Sequence, residues 1–401
     1  MLSFDEALAR LLASARTVSE VRHLPTLAAA GRVLARAQQA TVKAPLLDNS
    51  AMDGYALAVA DVPRLASRLP VSQRIPAGSV GTPLQPGTAA RIFTGAPIPA
   101  GADAVVMQEL CEHADDAVLI NHLPQVGEHI RRAGSDIAAG SEILPAGLRL
   151  RPQDTAQAAS VGIAELPVFR RLRVAVLFTG DELRMPGEPL PPGAIYNANR
   201  FLLTALLQSL GCVVRDIGQV PDDLPATRQA LRAAALDNDL VLSSGGVSVG
   251  EEDHVKAAVA AEGRIEMWKI AIKPGKPLAF GQIGSPGREV ACIGLPGNPV
   301  SCLITFLMLV RPFLLKMQGV HRITPPSYRL RADFDWLRPD ARREFLRARS
   351  HADGGVEIFA NQGAAVLSSA VWGDGLIDNP PQQVIRRGDM VRFLPFSALL
   401  N

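Results

Sequence analysis

The chain has 401 residues, 48% of them apolar and 20% charged, with a formal net charge of +2. That length suggests two to four domains with real cores, and the near-balanced charge argues against a global electrostatic footprint for nucleic acid. Four cysteines, Cys111, Cys212, Cys292 and Cys302, are too few for a disulfide framework, form no CxxC pair and read as buried free thiols; Cys111 with His113 is half a metal site with no second half nearby.

The N-terminus carries Asp5 and Glu6 and no apolar signal core, so the chain reads as soluble and cytoplasmic. Phe4–Thr17 has apolar residues at helical spacing (Phe4, Ala7, Leu8, Leu11, Leu12, Ala15), and a second helical stretch, Leu27–Ala40, follows Pro25. From Pro45 to about Gly140 the character changes to short β-like runs split by Gly and Pro, such as Ala90–Phe93, Ala104–Met107 and Val118–Ile120. A helical segment returns at Pro152–Ser160. The order predicts a helical domain made of 1–44 and 141–172, with a β-rich domain, 45–140, inserted into it.

From Arg173 strands and helices alternate. Leu172–Phe178, Val213–Gly218, Leu240–Ser243, Ile265–Ile272 and Glu289–Gly294 read as strands. Arg200–Leu210, closed by Gly211, reads as a helix, as do Ala226–Leu236, Glu252–Ala261 and Val300–Lys316. This rhythm predicts an α/β sandwich with a largely parallel sheet over 173–320. Val290–Val310 is uncharged for 21 residues, but Pro296, Gly297, Asn298 and Pro299 interrupt it, so it cannot be one membrane helix. Beyond Pro326 the pattern turns to period two in Tyr328–Trp336, followed by Phe345–Ala348, Val356–Phe359 and Asp389–Phe393, a small β domain over 321–401.

Chemistry gathers at the ends of the α/β strands, where open sheets bind ligands. Only six lysines occur against 35 arginines, yet Lys269, Lys273 and Lys276 fall within eight residues. Lysine is a compact point charge suited to a small oxyanion or phosphate, whereas arginine is a planar fork. A solvated strand edge would account for one such lysine; three held between Pro and Gly point to an anion site. The run Gly245-Gly246-Val247-Ser248-Val249-Gly250 suits a backbone nest for phosphate oxygens. Glu251, Glu252 and Asp253 follow it, and bare carboxylates repel phosphate unless a hard cation such as Mg²⁺ lies between. Glu251 and Glu252 read as acids favouring the next helix N-terminus, Asp253 as a metal ligand. In Pro296-Gly297-Asn298-Pro299, Asn298 reads as an N-cap and Pro299 as the first helical residue, a terminus that can also face an anion.

Taken in order, Ser244–Gly250, Lys273-Pro-Gly-Lys-Pro277 and Leu295-Pro-Gly-Asn-Pro-Val-Ser301 resemble the core of the molybdopterin molybdenumtransferases, the MoeA and gephyrin E-domain family. Asp48-Asn-Ser-Ala-Met-Asp-Gly-Tyr55, Ile92–Glu109 and Ile130–Ile137 resemble the same family's inserted domain. The resemblance implies a multidomain α/β protein: a MoaB/MogA-like sandwich core, the inserted β-rich domain, a helical N-terminal domain and a small C-terminal β-barrel. It implies that molybdate is joined to the dithiolene of adenylylated molybdopterin with Mg²⁺-dependent release of AMP. It further implies an elongated homodimer whose cleft is shared between subunits. The adenylyltransferase of the same pathway and apo-molybdoenzymes become candidate partners.

Carried over residue by residue, Asp53 and Thr94 face that cleft from the inserted domain, with Asp136 near the domain junction. Glu182, Asp222 and Asp253 become the acids of the α/β site, Asp222 and Asp253 as Mg²⁺ ligands and Glu182 orienting either the metal or the adenylate-bearing ligand; Lys269, Lys273 and Lys276 become its cations, with Lys273, Lys276 and Pro277 nearest the molybdate. Gly245, Gly246, Ser248, Gly250, Pro296, Gly297, Asn298 and Pro299 become substrate-binding residues. One departure stands out: after Gln362-Gly363 this chain has Ala364, where relatives commonly have Ser; if that hydroxyl helps bind the oxyanion in relatives, this chain must use backbone N–H groups or Arg342, Arg343 or Arg347. Rival readings rank lower: adenylyl transfer belongs to proteins resembling the α/β core alone, scaffolding lacks an extra partner module, and nucleic-acid binding lacks a basic stripe.

Overall fold

The computed structural model describes residues 1–246, 254–284, 287 and 289–400. The first helix, Phe4–Ser14, begins at Ser3, whose hydroxyl accepts from Glu6 N while the Glu6 carboxylate accepts from Ser3 N. This reciprocal cap satisfies two orphan donors and lets the helix bury Phe4, Ala7 and Leu11.

The expected second helix, Leu27–Ala40, does not form. Only a 3₁₀ turn, Thr26–Ala28, is present; Gly31 takes φ +76°, and Leu27 is 98% exposed. The apolar spacing had no partner face to bury, so the segment pairs as β structure instead: Val33 bridges Arg149, Leu34 bridges Val168, and Gln38–Gln39 pairs with Glu142–Leu144. Segments 1–44 and 141–172 thus mix helices Phe4–Ser14 and Pro152–Ser160 with antiparallel pairs such as Val21–Pro25 against Glu165–Phe169. Their shared core is Leu34, Leu144, Leu150, Ala158, Leu166 and Val168.

Segment 45–140 carries a six-stranded sheet in the order Ala104–Met107, Gly54–Leu57, Ala89–Ile92, Ser67–Ile75, Ala117–Ile120, Cys111–Ala114. Its short strands are apolar toward separate clusters around Tyr55 and Leu57 and around Ile75 and Ile92.

The α/β unit is a six-stranded sheet in the order Val213–Val220, Arg173–Thr179, Leu240–Ser244, Val290–Leu295, Pro277–Ile283, Gly263–Lys269. The first four strands are parallel and the last two antiparallel. The antiparallel edge follows from the connection: Gly263–Lys269 returns as Pro277–Ile283 through the loop 270–276, too short for a helical crossover. Helix Ala198–Ser209 and the long helix Pro299–Met317 cover one face; Leu224–Ala235 and His254–Glu262 cover the other. Pro299–Met317 is apolar enough to cross a membrane, but 94% of it is buried, which makes it the core helix of this unit. It accommodates Pro312 through a π turn at Phe306–Val310.

At the C-terminus a five-stranded barrel closes on itself. Arg343–Ser350 pairs with Gly355–Ile358, then Tyr328–Ala332, Met390–Pro395 and Gly375–Asn379, which returns to Arg343–Ser350. A sixth short strand comes from the α/β unit: Ile272 and Lys273 add in parallel onto Arg343 and Glu344. The loop bearing the clustered lysines is therefore stitched to the barrel.

Candidate active site

Parallel strands with matched register end together. Thr179 lies opposite Val220, Phe178 opposite Ser244, and Ser244 opposite Leu295, so the loops after four strands open at one edge of the sheet. Gly245 and Gly246 take φ +93° and +66° there. A Cβ on Gly245 would lie 2.6 Å from Thr179 O, and one on Gly246 would strike Val255 Cγ2. Glycine is needed for close packing as well as for the left-handed backbone.

Across this edge the loop 273–277 and the barrel close a cavity of about 580 Å³. Its walls include the expected Gly245, Gly246, Lys273, Lys276, Pro277, Pro296, Gly297 and Asn298. They also include Ser301, Arg342, Gln362, Gly363 and Ala364. The volume suits a cofactor-sized ligand. Gly275, at φ +111°, sits so tightly on the long helix that a Cβ there would come closer than 3.0 Å to Thr305 Oγ1. That contact sets the position of the two lysines on either side.

Lys273 Nζ lies 3.2 Å from Glu344 Oε1 and 3.4 Å from Asp340 Oδ2. Asp340 also takes a bidentate pair from Arg342, at 2.8 Å on each oxygen, and these bonds hold its carboxyl well below the usual range. Behind this wall Arg347 is fully buried among neutral acceptors: Ser369 Oγ at 3.0 Å, Gly363 O at 3.2 Å and Phe345 O at 3.3 Å. Burial pushes its guanidinium down to about 10. Gln362 is locked to the same strand, accepting from Arg347 N at 2.9 Å and donating to Arg347 O at 3.0 Å.

The helix start at Pro299 departs from the simple cap. Asn298 has N-cap backbone geometry, yet its side chain makes no capping bond and stands at the cavity wall. Pro299 has no N–H and does not line the cavity, and Val300 N donates to Ala364 O at 3.0 Å. Much of the terminus is thus engaged by the barrel loop, and an anion in the cavity would rely on the lysines more than on the helix end.

Among the other expected residues, Asp222 and Glu182 occupy neighbouring strand-end loops outside the cavity wall. Asp181 N donates to Asp222 Oδ2 at 3.2 Å, and Asp222 N returns a bond to Asp181 Oδ1 at 3.3 Å. Glu182 folds over Gly180, its Oε2 2.5 Å from where a Cβ there would sit. Ser248, Gly250 and Asp253 lie outside the described residues, and among those described no group of three or more His, Cys, Asp or Glu could hold a metal ion. Asp222 and Glu182 still fit magnesium in one respect: they are hard carboxylate donors, and that ion commonly takes one or two carboxylates and completes its shell with water and substrate phosphate.

Lys269, though in the lysine cluster, pairs with Pro277 before the loop begins, is exposed, and does not line the cavity. Asp53 and Thr94 meet each other in the inserted sheet: Asp53 Oδ1 accepts from Thr94 N at 2.8 Å and from its hydroxyl at 2.7 Å. The backbone bond, then the hydroxyl bond, hold the Asp53 carboxyl below its ordinary value. Asp136 stands apart in an exposed turn, its N–H donating to Ala44 O at 3.1 Å. None of these three lines the cavity. All four cysteines are free; burial pushes Cys212, Cys292 and Cys302 up to about 12 and Cys111 to about 11, which makes them poor nucleophiles.

Three family models match successive stretches: "MoeA N-terminal region (domain I and II)" over 2–162, "Probable molybdopterin binding domain" over 175–316, and "MoeA C-terminal region (domain IV)" over 329–396. The molybdopterin molybdenumtransferase of Haemophilus influenzae is 38% identical over 409 residues, spanning 100% of both chains. The chain belongs to the molybdopterin molybdenumtransferase family. Molybdopterin molybdenumtransferase 2 of Mycobacterium tuberculosis is 37% identical over 90% of this chain and 91% of its own. Two solved structures of MoeA from Pyrococcus horikoshii superpose over nearly the full length. One has a TM-score of 0.78 at 30% identity, covering 99% of both chains; the other has 0.85 at 27%, covering 98% of this chain and 100% of its own. Arg342, Gln362 and Ser301 line the cavity beside the expected residues; Arg342 stood among the arginines that could replace a hydroxyl at Ala364, Ser301 closes the Pro-Gly-Asn-Pro-Val-Ser motif, and Gln362 carried little signal.

Proposed function

We propose that this cavity is where molybdate is joined to the dithiolene of adenylylated molybdopterin, with release of AMP. The protein is a transferase of molybdenum cofactor biosynthesis. The observation that carries this reading is the pair Lys273 and Lys276, held on a closely packed loop in the wall of a cavity that also contains Gly245 and Gly246. Two cations on a fixed loop suit MoO₄²⁻, and backbone at two glycines suits the phosphates of the incoming ligand.

Holding both partners in one cavity makes sulfur attack at molybdenum effectively intramolecular. Each new Mo–S bond displaces an oxo ligand, which leaves as water after taking up protons. Water cleaves the phosphoanhydride and AMP departs. No protein thiol takes part: Cys212, Cys292 and Cys302 are buried, Cys111 is half-buried, and none of the four lines the cavity. Magnesium, held by Asp222 and Glu182 with Asp253, would supply a hard counter-charge to the phosphoanhydride. Lys269 would add to the field from just outside the cavity, and Ser248 and Gly250 would complete the phosphate-facing surface.

Asp53, Thr94 and Asp136 belong to this reading through a homodimer. Asp53 and Thr94 form a hydrogen-bonded, accessible pair that lines no part of its own chain's cavity. In a shared cleft they would face a second copy of the chain. The proposal further takes the protein as cytoplasmic, receiving its ligand from an adenylyltransferase and passing product to apo-molybdoenzymes. Equilibrium dialysis of molybdate against wild type and Lys276→Ala tests the oxyanion site: binding weakened at least tenfold is expected, and equal binding would refute it.

A further inference from the structure

We propose that Glu344 is a positioning residue for the oxyanion site, fixing the Lys273 ammonium and coupling occupancy of the site to the indole of Trp336. The inference rests on the reading of Lys273 as an oxyanion ligand. Glu344 is 0% exposed, an unusual place for a carboxylate. Its Oε2 accepts from three neutral donors: Trp336 Nε1 at 2.8 Å, Asp340 N at 3.2 Å and Asn379 Nδ2 at 3.4 Å. Its Oε1 lies 3.2 Å from Lys273 Nζ, and no hydrogen-bond donor among the other described residues reaches it. A buried charge must be paired, so this oxygen obliges the ammonium to stay. The backbone enforces the same register, Lys273 lying opposite Glu344 where the lysine loop joins the barrel.

Two effects compete. The carboxylates draw positive charge away from an incoming anion, yet they also order a side chain that would otherwise sample many rotamers. Ordering prevails because an ammonium carries three donors. Glu344 Oε1 and Asp340 Oδ2 flank the ammonium as ion-pair partners at 3.2 and 3.4 Å, and Glu344 Oε1 takes no hydrogen bond from it, so the ammonium is held in place with donors left to turn toward the cavity that Lys273 lines. Ordering a lysine stem in advance is worth about tenfold in affinity. The same carboxylate holds the indole N–H of Trp336, so an anion that draws on Lys273 alters the field at that ring.

Glu344→Gln keeps the shape. Its amide oxygen can serve Trp336 and Asp340 N, but its NH₂ then confronts Lys273. Molybdate binding by equilibrium dialysis to the full-length protein is expected to weaken about tenfold. Equal or tighter binding would overturn the proposal, since the carboxylate would then merely compete for the lysine. The second readout needs no change at Glu344: with Trp268 and Trp372 replaced by Phe, titration with molybdate is expected to change Trp336 emission saturably at the dialysis Kd, and no change at saturation would overturn the coupling. If Glu344→Gln does not fold, this titration and Asp340→Asn, expected to weaken binding severalfold, decide the matter. A Lys273→Ala chain that binds molybdate normally would remove the oxyanion reading itself; weak binding there with normal binding in Glu344→Gln would remove only this inference.

Discussion

Replacing Gly275 with alanine puts two separable strains on the lysine loop. The backbone there sits at φ +111°, where a side chain is disfavoured by about 1–2 kcal/mol. The added Cβ would also lie closer than 3.0 Å to Thr305 Oγ1 and 3.4 Å from both Ile272 Cδ1 and Ser301 O. Overpacking of this kind costs about 1–3 kcal/mol, so the expected total is roughly 2–5 kcal/mol. Thr305 separates the two parts, because its hydroxyl is buried without a hydrogen-bond partner among the described residues. Thr305→Ala alone should therefore cost little for the lost hydroxyl. Combined with Gly275→Ala it should recover roughly the overpacking part and leave the backbone part. The assay is a double-mutant cycle read by denaturant unfolding together with molybdate affinity. The loop can also relieve strain by moving, in which case stability falls less and molybdate binding falls more than tenfold. Wild-type stability and wild-type molybdate binding together in Gly275→Ala would refute the claim that this contact positions the lysines.

Asn199→Ala removes bonds from Nδ2 to Ser244 Oγ at 2.8 Å and Gly297 O at 2.7 Å, which tie two strand-end loops together; a loss of about 1–3 kcal/mol in stability is expected by denaturant unfolding. The buried thiols of Cys212, Cys292 and Cys302 should resist alkylation at pH 8 in native protein and react promptly in denaturant, as peptide mass mapping would reveal. Because burial raises their folded pKa to about 12, their contribution to stability is complete below the unfolded value of about 8.5 and is lost as pH rises toward 12; unfolding midpoints should fall across that window. Ala364→Ser would add a hydroxyl to the cavity wall and should tighten molybdate binding severalfold by dialysis; equal affinity would mean that lysine and backbone contacts already suffice.

What the residues disclosed in advance, and what they hid, divides on physical lines. The parallel strands Arg173–Thr179 and Leu240–Ser244 are buried apolar runs between turn signals, and their type is visible from that alone. Leu27–Ala40 misled because apolar spacing is necessary for a helix but tertiary pairing decides; Val33 and Leu34 found partners across the chain at Arg149 and Val168. Pro277–Ile283 and Gly375–Asn379 escaped because they open on Pro and Gly and are buried on both sides, so no alternation marks them. In the site, Lys273 and Lys276 were legible from composition. Lys269 shared that signal, but its position is set by pairing with Pro277, a contact no spacing argument reaches. Asp340 and Glu344 sit in a run crowded with arginine and look like ordinary surface acids; only barrel closure and the added strand bring them to Lys273.

The proposed reaction joins molybdate to adenylylated molybdopterin in this cavity. The most direct test is AMP release by the purified protein supplied with adenylylated molybdopterin and magnesium, with and without molybdate, and with Lys273→Ala alongside. Release stimulated by molybdate in the native chain and lost in the variant is the predicted result. No release under any condition from folded protein, or equal stimulation in Lys273→Ala, would contradict it.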